Sequence, residues 1–196
     1  MDYVIAGLGN PGDKYKNTRH NAGRIVLEHI RGANDFSEWR KDGVARAMVS
    51  KGEIEGNFVT LVLPETFMNE SGKSISTFIS SEKCSDSLIV IYDDLDLGIG
   101  DIKMSFGKSS GGHKGLESVI NVFNNKDFAR IRVGISPKSF FGNLKKPKGD
   151  ANVTKFVLGR FSGGEMKKVK ELSREADKMI NALIKKGREY AMNHYN

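Results

Sequence analysis

The sequence predicts an α/β domain, a sheet with helices packed on both of its faces. Three observations predict it. Short β-branched runs alternate with segments of helical periodicity. One run, LIVIY at 88–92, is apolar at every position, as a strand buried on both faces requires. The chain closes on a long amphipathic stretch. At 196 residues it suits a single domain, 1–196, around one core.

Strands are expected at Tyr3–Leu8, Val44–Ser50, Phe58–Leu63, Leu88–Tyr92, Ile102–Ser105 and Arg130–Ile135. Most are short and stop at Gly, Pro, Asp or Asn. Helices are expected at Asn21–Arg31, Ser71–Ser80, Gly115–Phe123 and Gly164–His194. In the last, Met166, Val169, Leu172, Ala176, Met179, Ile180 and Leu183 recur at three- and four-residue spacing. Its other face carries Lys and Glu, so it reads as a helix packed on the core. Ser71 reads as a helix N-cap. The segment 136–152, SPKSFFGNLKKPKGDAN, has no periodicity. A Lys-rich loop with Phe140-Phe141 fits either an RNA-touching functional loop or disorder.

Lys and Arg number 31 against 24 Asp and Glu, a net charge of +7. That balance favours a polyanionic partner, nucleic acid above all. No apolar run approaches the ~20 residues of a membrane span, and no secretion signal opens the chain. The single Cys84 cannot form an internal disulfide, which points to a cytoplasmic location. It lies in a polar stretch and reads as an incidental thiol.

Gly7-x-Gly9-x-x-Gly12 has the spacing of a dinucleotide loop. That loop needs a helix at its third glycine and an acidic residue at the end of a second strand. Here a polar stretch follows Gly12, and Glu28 falls in a predicted helix. The match is read as false, and tight NAD binding would revive it. What remains is a sharp turn at Asn10-Pro11-Gly12 after a strand. Polar residues past strand ends are well placed for function. Asn10 is one; Asp93, Asp94 and Asp96 follow LIVIY; Thr66 to Asn69 follow the third strand. Of four histidines, His20 and His113 sit in polar, Gly-containing loops. A histidine oriented by a carboxylate can take a proton from water. No G-x-S-x-G elbow supplies a serine nucleophile. DDLDLGIGD fails the EF-hand spacing; its three carboxylates leave Mg²⁺ as the alternative, but without a matched ligand set no metal is expected, and Asp94 and Asp96 read as turn-makers that pair with lysines. GKSSGGHKG, 107–115, is not a Walker loop, but its backbone N–H groups with Lys108 and Lys114 could cradle phosphate.

In this order, GLGNPGDKYKNTRHNAG, TFMNESGKS, YDDLDLGIG, SSGGHKGL and FVLGRF resemble the bacterial-type peptidyl-tRNA hydrolase family. The resemblance spans nearly the whole chain. It implies a monomeric three-layer domain with a mixed, twisted sheet and no organic cofactor. It implies cleavage of the ester between a peptide and the 3′ end of tRNA. His20 then matches the family's catalytic histidine and Asp93 its orienting carboxylate. Asn10 matches an asparagine that recognises the peptidyl chain, and Asn69 one that positions substrate and water. Tyr15, Phe67 and Met68 match residues along the path of the tRNA end and peptide. His113 falls in the Gly-rich loop. Lys114 stands where the family commonly has Asn; an ammonium group accepts no hydrogen bond, so phosphate contact replaces the amide role. Lys103, Lys108 and the Lys145-Lys146-Lys148 cluster are the other candidate tRNA contacts. A non-catalytic RNA-binding protein on the same scaffold is the alternative, which the presence of Asn10, His20, Asn69 and Asp93 disfavours.

Overall fold

A computed structural model describes residues 2–195. Its strands are β1 (Asp2–Gly7), β2 (Arg40–Asp42), β3 (Ala47–Ile54), β4 (Asn57–Pro64), β5 (Leu88–Gly98), β6 (Ile102–Ser105) and β7 (Ala129–Ser136). Its helices are α1 (Ala22–Ala33), α2 (Ser71–Ile75), α3 (Cys84–Ser87), α4 (Lys114–Phe123), α5 (Asp150–Val157) and α6 (Gly163–His194). One mixed sheet runs in the order β2-β3-β4-β1-β5-β7-β6. The inner strands β4, β1, β5 and β7 are parallel, and β3, β2 and β6 pair antiparallel at the edges.

Side-chain alternation along the inner strands divides the core in two. Ile5, Leu61, Ile89, Ile91 and Ile131 point to one face and meet Val26, Leu27 and Ile30 of α1 and Val169, Leu172 and Ile180 of α6. Val4, Ala6, Val62 and Val90 point to the other and meet Ile75 of α2 and Leu116, Val119 and Phe123 of α4. These are the expected three layers. Each buried aliphatic side chain contributes about 1.5–3 kcal/mol relative to exposure.

Several elements differ from the expectation. The strand expected from Val44 starts at Ala47, because the Asp42 carboxylate accepts the N–H groups of Val44 and Ala45 and bends the chain. Val44 is left 90% exposed. The strand then runs past Ser50 to Ile54 and turns back at Glu55 and Gly56, both at positive φ, as a two-residue hairpin of type I′ requires. The three polar residues of β2 carry no strand pattern. The helix expected to reach Ser80 ends at Ile75. Beyond it, Ser76 and Thr77 hydroxyls donate to the Lys73 carbonyl and compete with the helical ladder. Ser71 does not cap α2; it is the first helical residue, and its hydroxyl donates to the Met68 carbonyl. Cys84 is fully buried at the start of α3 rather than sitting in a polar linker. The segment 136–152 ends in helix from Asp150 onward. In α6 a capping box of Ser162 and Glu165 starts the helix, and Gly187, at φ 83°, interrupts it.

The strand LIVIY also continues further than its apolar run. Asp93 and Asp94 still pair with Val133 and Gly134 of β7 before the register shifts ahead of Gly98. Both aspartates therefore sit on the strand, not beyond it. The shift is possible because Gly134 has no Cβ to strike the Gly98 carbonyl.

Candidate active site

The turn at Asn10-Pro11-Gly12 serves the histidine. After β1 the Leu8 N–H donates to the Ile91 carbonyl of β5 at 2.9 Å, and Leu8 O accepts from Arg24 of α1. Gly7 and Gly23 let α1 settle onto these strands. A Cβ on Gly23 would lie 2.8 Å from the Leu8 nitrogen and closer still to the Ile91 carbonyl oxygen. The close seat brings the 3-10 turn Arg19–Asn21, which leads into α1, against the end of β5.

That turn is clasped from its other side by FVLGRF. Thr18 bridges Arg160, Arg19 N–H donates to Gly159 O, and Phe161 N–H donates to Asn17 O. The Arg19 guanidinium lies over the rings of Phe156 and Phe161 and reaches both carboxylate oxygens of Glu165.

His20 Nδ1 then lies 3.0 and 3.1 Å from the two oxygens of Asp93. His113 Nε2 lies 3.0 Å from the same Asp93 Oδ1. His113 is the N-cap of α4, and its Nδ1 accepts the Leu116 N–H at 3.1 Å. That bond leaves the His113 proton on Nε2, aimed at Asp93. With Asp93 also accepting Nδ1–H of His20, the His20 Nε2 keeps its lone pair. The three groups form a compact His–Asp–His cluster, with ring centroids of the two histidines 4.9 Å apart.

Their electrostatics follow from burial and pairing. Asp93 is 3% exposed. Burial alone raises its carboxyl, but His20 and His113 outweigh that and hold it well below the usual carboxylate range. Burial pulls His20 down, the charge and hydrogen bond of Asp93 pull it up further, and nearby Lys114 opposes them; the net shift is upward. Burial pushes the Tyr92 phenol up to about 12, so it stays neutral beside His113.

A cation could in principle be held by these three side chains. The donor set argues otherwise. A metal on His113 Nε2 would need the proton moved to Nδ1, where it would face the Leu116 N–H.

The cluster opens into a cleft of about 680 Å³. Of the expected residues, Asn10, His20, Phe67, Met68, Asn69, Asp93, Lys108, His113 and Lys114 all line it. Asn10 is buried: its Oδ1 accepts the Met68 N–H, and Asn21 holds its backbone N–H and carbonyl. Its Nδ2 hydrogens remain for the cleft. Asn69 and Phe67 stand exposed at the cleft. Tyr15 lines neither this cleft nor a second depression of about 530 Å³ that shares Asn10. Lys103 sits exposed on β6, opposite Arg132 of β7, and is not in the lining. Lys146 reaches the cleft and pairs with Asp96 at 2.6 Å. Asp94 pairs with Arg132 at 2.6 Å, an arginine where lysine was expected.

Sequence reasoning missed Asn21, Arg132 and the wall formed by α5, whose Val153, Thr154 and Val157 face the cleft. Asn21 was adjacent to His20 in the sequence, and its amide was the available signal. The α5 wall had no such signal, since only Val157 of that helix is buried.

A mixed sheet flanked by helices, with an imidazole–carboxylate–imidazole cluster at a cleft lined by both cations and carboxylates, defines an α/β enzyme with a histidine–carboxylate site suited to proton transfer. The profile described as peptidyl-tRNA hydrolase matches residues 4–196. The peptidyl-tRNA hydrolase of Caldanaerobacter subterraneus subsp. tengcongensis is 36% identical over 201 residues, covering 99% of each chain. That of Syntrophotalea carbinolica is 33% identical, covering 98% of this chain and 96% of its own. A crystal structure of peptidyl-tRNA hydrolase from Acinetobacter baumannii aligns at TM-score 0.85 and 30% identity, covering 99% of this chain and 95% of the other. The chain belongs to the peptidyl-tRNA hydrolase family and is an ester hydrolase.

Proposed function

We propose that the chain cleaves the ester joining a peptide, or an N-blocked amino acid, to the 3′ end of tRNA, with His20 as the general base. The observation that carries this reading is the His20–Asp93 pair, whose geometry leaves Nε2 of His20 free to take a proton. Asp93 holds the tautomer and stabilises the imidazolium once the proton is taken. Water so activated attacks the ester carbonyl; as the C–O bond breaks, the ribose oxygen of the tRNA end leaves with the proton returned from the His20 imidazolium. General-base assistance is worth about 10²–10⁴ in rate. Amide hydrogens of Asn10 and Asn69 are the donors for the developing oxyanion. Phe67 and Met68 supply apolar surface for the substrate end.

Lys108 and Lys114 bring positive charge to the same cleft and are assigned to phosphates. No residue in this mechanism calls for a cofactor, and the chain acts as a monomer. The test is incubation with N-acetyl-aminoacyl-tRNA beside unblocked aminoacyl-tRNA. Release from the blocked form only is the expected result. Binding of tRNA with no release from either form would replace this reading with a non-catalytic RNA-binding one.

A further inference from the structure

The segment between β7 and α5 carries two phenylalanines that the mechanism does not use. It is ordered as a small hairpin. Lys138 and Leu144 form an antiparallel bridge, and Ser139 N–H donates to Asn143 O at 2.8 Å. Gly142, at φ 81°, closes the turn with its N–H on Ser139 O. Two ion pairs fasten its base: Lys138 to Asp101 and Lys146 to Asp96, each at 2.6 Å. At the tip, Phe140 is 99% exposed and Phe141 87%. Their rings meet edge to face, 5.5 Å apart at 88°. That arrangement leaves open ring faces directed to solvent.

We infer that Phe140 and Phe141 form a stacking platform for the unpaired bases at the 3′ end of tRNA. The inference rests on the substrate proposed above and adds a binding surface to it. Position is the first argument. Lys146 and Pro147 line the active-site cleft, and Phe141 lies five residues from Lys146. Five extended residues span at most about 17 Å, so the rings stand within that reach of a residue that lines the cleft.

Charge is the second argument. Residues 137–149 carry Lys138, Lys145, Lys146 and Lys148 and no acidic residue. Lys145 and Lys148 form no ion pair among the described residues. A cationic strand bearing open aromatic faces matches single-stranded nucleic acid, whose every base has a π-face. The peptide half of the substrate offers neither a constant charge nor a constant ring.

The test compares hydrolysis of N-acetyl-aminoacyl-tRNA by the full chain and by F140A/F141A, F140L/F141L and F140W/F141W. The alanine and leucine pairs should raise KM roughly five- to hundredfold with kcat unchanged, and the tryptophan pair should restore it. Deacylated tRNA with 2-aminopurine at its 3′-terminal position gives a readout without turnover. Its fluorescence should be quenched by the wild-type chain and not by the alanine pair. Unchanged KM and quenching in the alanine pair overturn the inference. So does a leucine pair equal to wild type, which would mean apolar contact without stacking. A defect that grows with peptide length while quenching persists assigns the rings to the peptide. Self-association lost in the alanine pair assigns them to a second copy. Both outcomes overturn the platform. If the wild-type chain releases nothing from N-acetyl-aminoacyl-tRNA, the substrate reading falls; if it does and the variants are indifferent, only the platform falls.

Discussion

Gly23→Ala probes the seat that delivers His20 to Asp93. The added methyl carbon falls 2.8 Å from the Leu8 nitrogen and deeper into the Ile91 carbonyl oxygen. Both obstacles are backbone in the centre of the sheet, so neither can rotate away. Ordinary contact begins near 3.4 Å, so α1 must lift by about 1 Å. The turn bearing His20 is continuous with α1 and moves with it. Its bonds to Asp93, now 3.0 and 3.1 Å, would stretch to about 4 Å, beyond hydrogen-bond range. A misplacement of that size costs about 10²-fold in rate. Overpacking of this kind also costs about 1–3 kcal/mol of stability, or roughly 2–4 °C in Tm per kcal/mol at this length. The assay is kcat on N-acetyl-aminoacyl-tRNA beside a thermal melt. A variant that melts a few degrees lower but keeps wild-type kcat would refute the claim that the glycine contact positions the base.

Three further outcomes are expected. His20→Ala should give a folded protein with at least about 10²-fold lower kcat, read by hydrolysis and circular dichroism; near-normal turnover removes His20 from the chemistry. The acidic limb of kcat/KM should lie above the ordinary histidine value of 6.5, because Asp93 raises His20, and Asp93→Asn should move the limb to lower pH; a limb that stays in place excludes the pairing. The same shifts act on stability: the raised His20 stabilises fully below its unfolded value and loses this as pH rises through its folded one. The lowered Asp93 stabilises above its ordinary range and loses this as pH falls through its folded value. Affinity for tRNA should fall with salt, and neutralising Lys108 and Lys114 should reduce the slope of log K against log salt by about 0.7–0.9 per lost contact; a slope unchanged by both substitutions removes them from the phosphate path.

What could be read from the sequence was what is encoded locally. Leu88–Tyr92 and the stripe from Met166 to Leu183 follow directly from apolar periodicity, so the sheet centre and the long helix were legible. Features set by long-range contact were not. Nothing in the spacing of His20 and Asp93, 73 residues apart, shows that they meet; the ordered motifs resembling a family carried that step. Asp93 was expected past a strand end because its polarity breaks the apolar run, whereas pairing with β7 carries the strand through it. The helix α5 buries a single residue, so amphipathic pattern could not announce it. Gly187 interrupts α6 by its positive φ, beyond the stripe that ends at Leu183, so the apolar pattern does not reach the break.

The hydrogen bond from the Leu116 amide to His113 couples the buried carboxylate of Asp93 to the first turn of a helix. First turns of helices fray at lower free energy than whole domains unfold. When the start of α4 opens, His113 loses the donor that holds its tautomer, and Asp93 loses one of its two supports. The electrostatic setting of Asp93 is thereby tied to one helical turn as well as to the sheet beneath it.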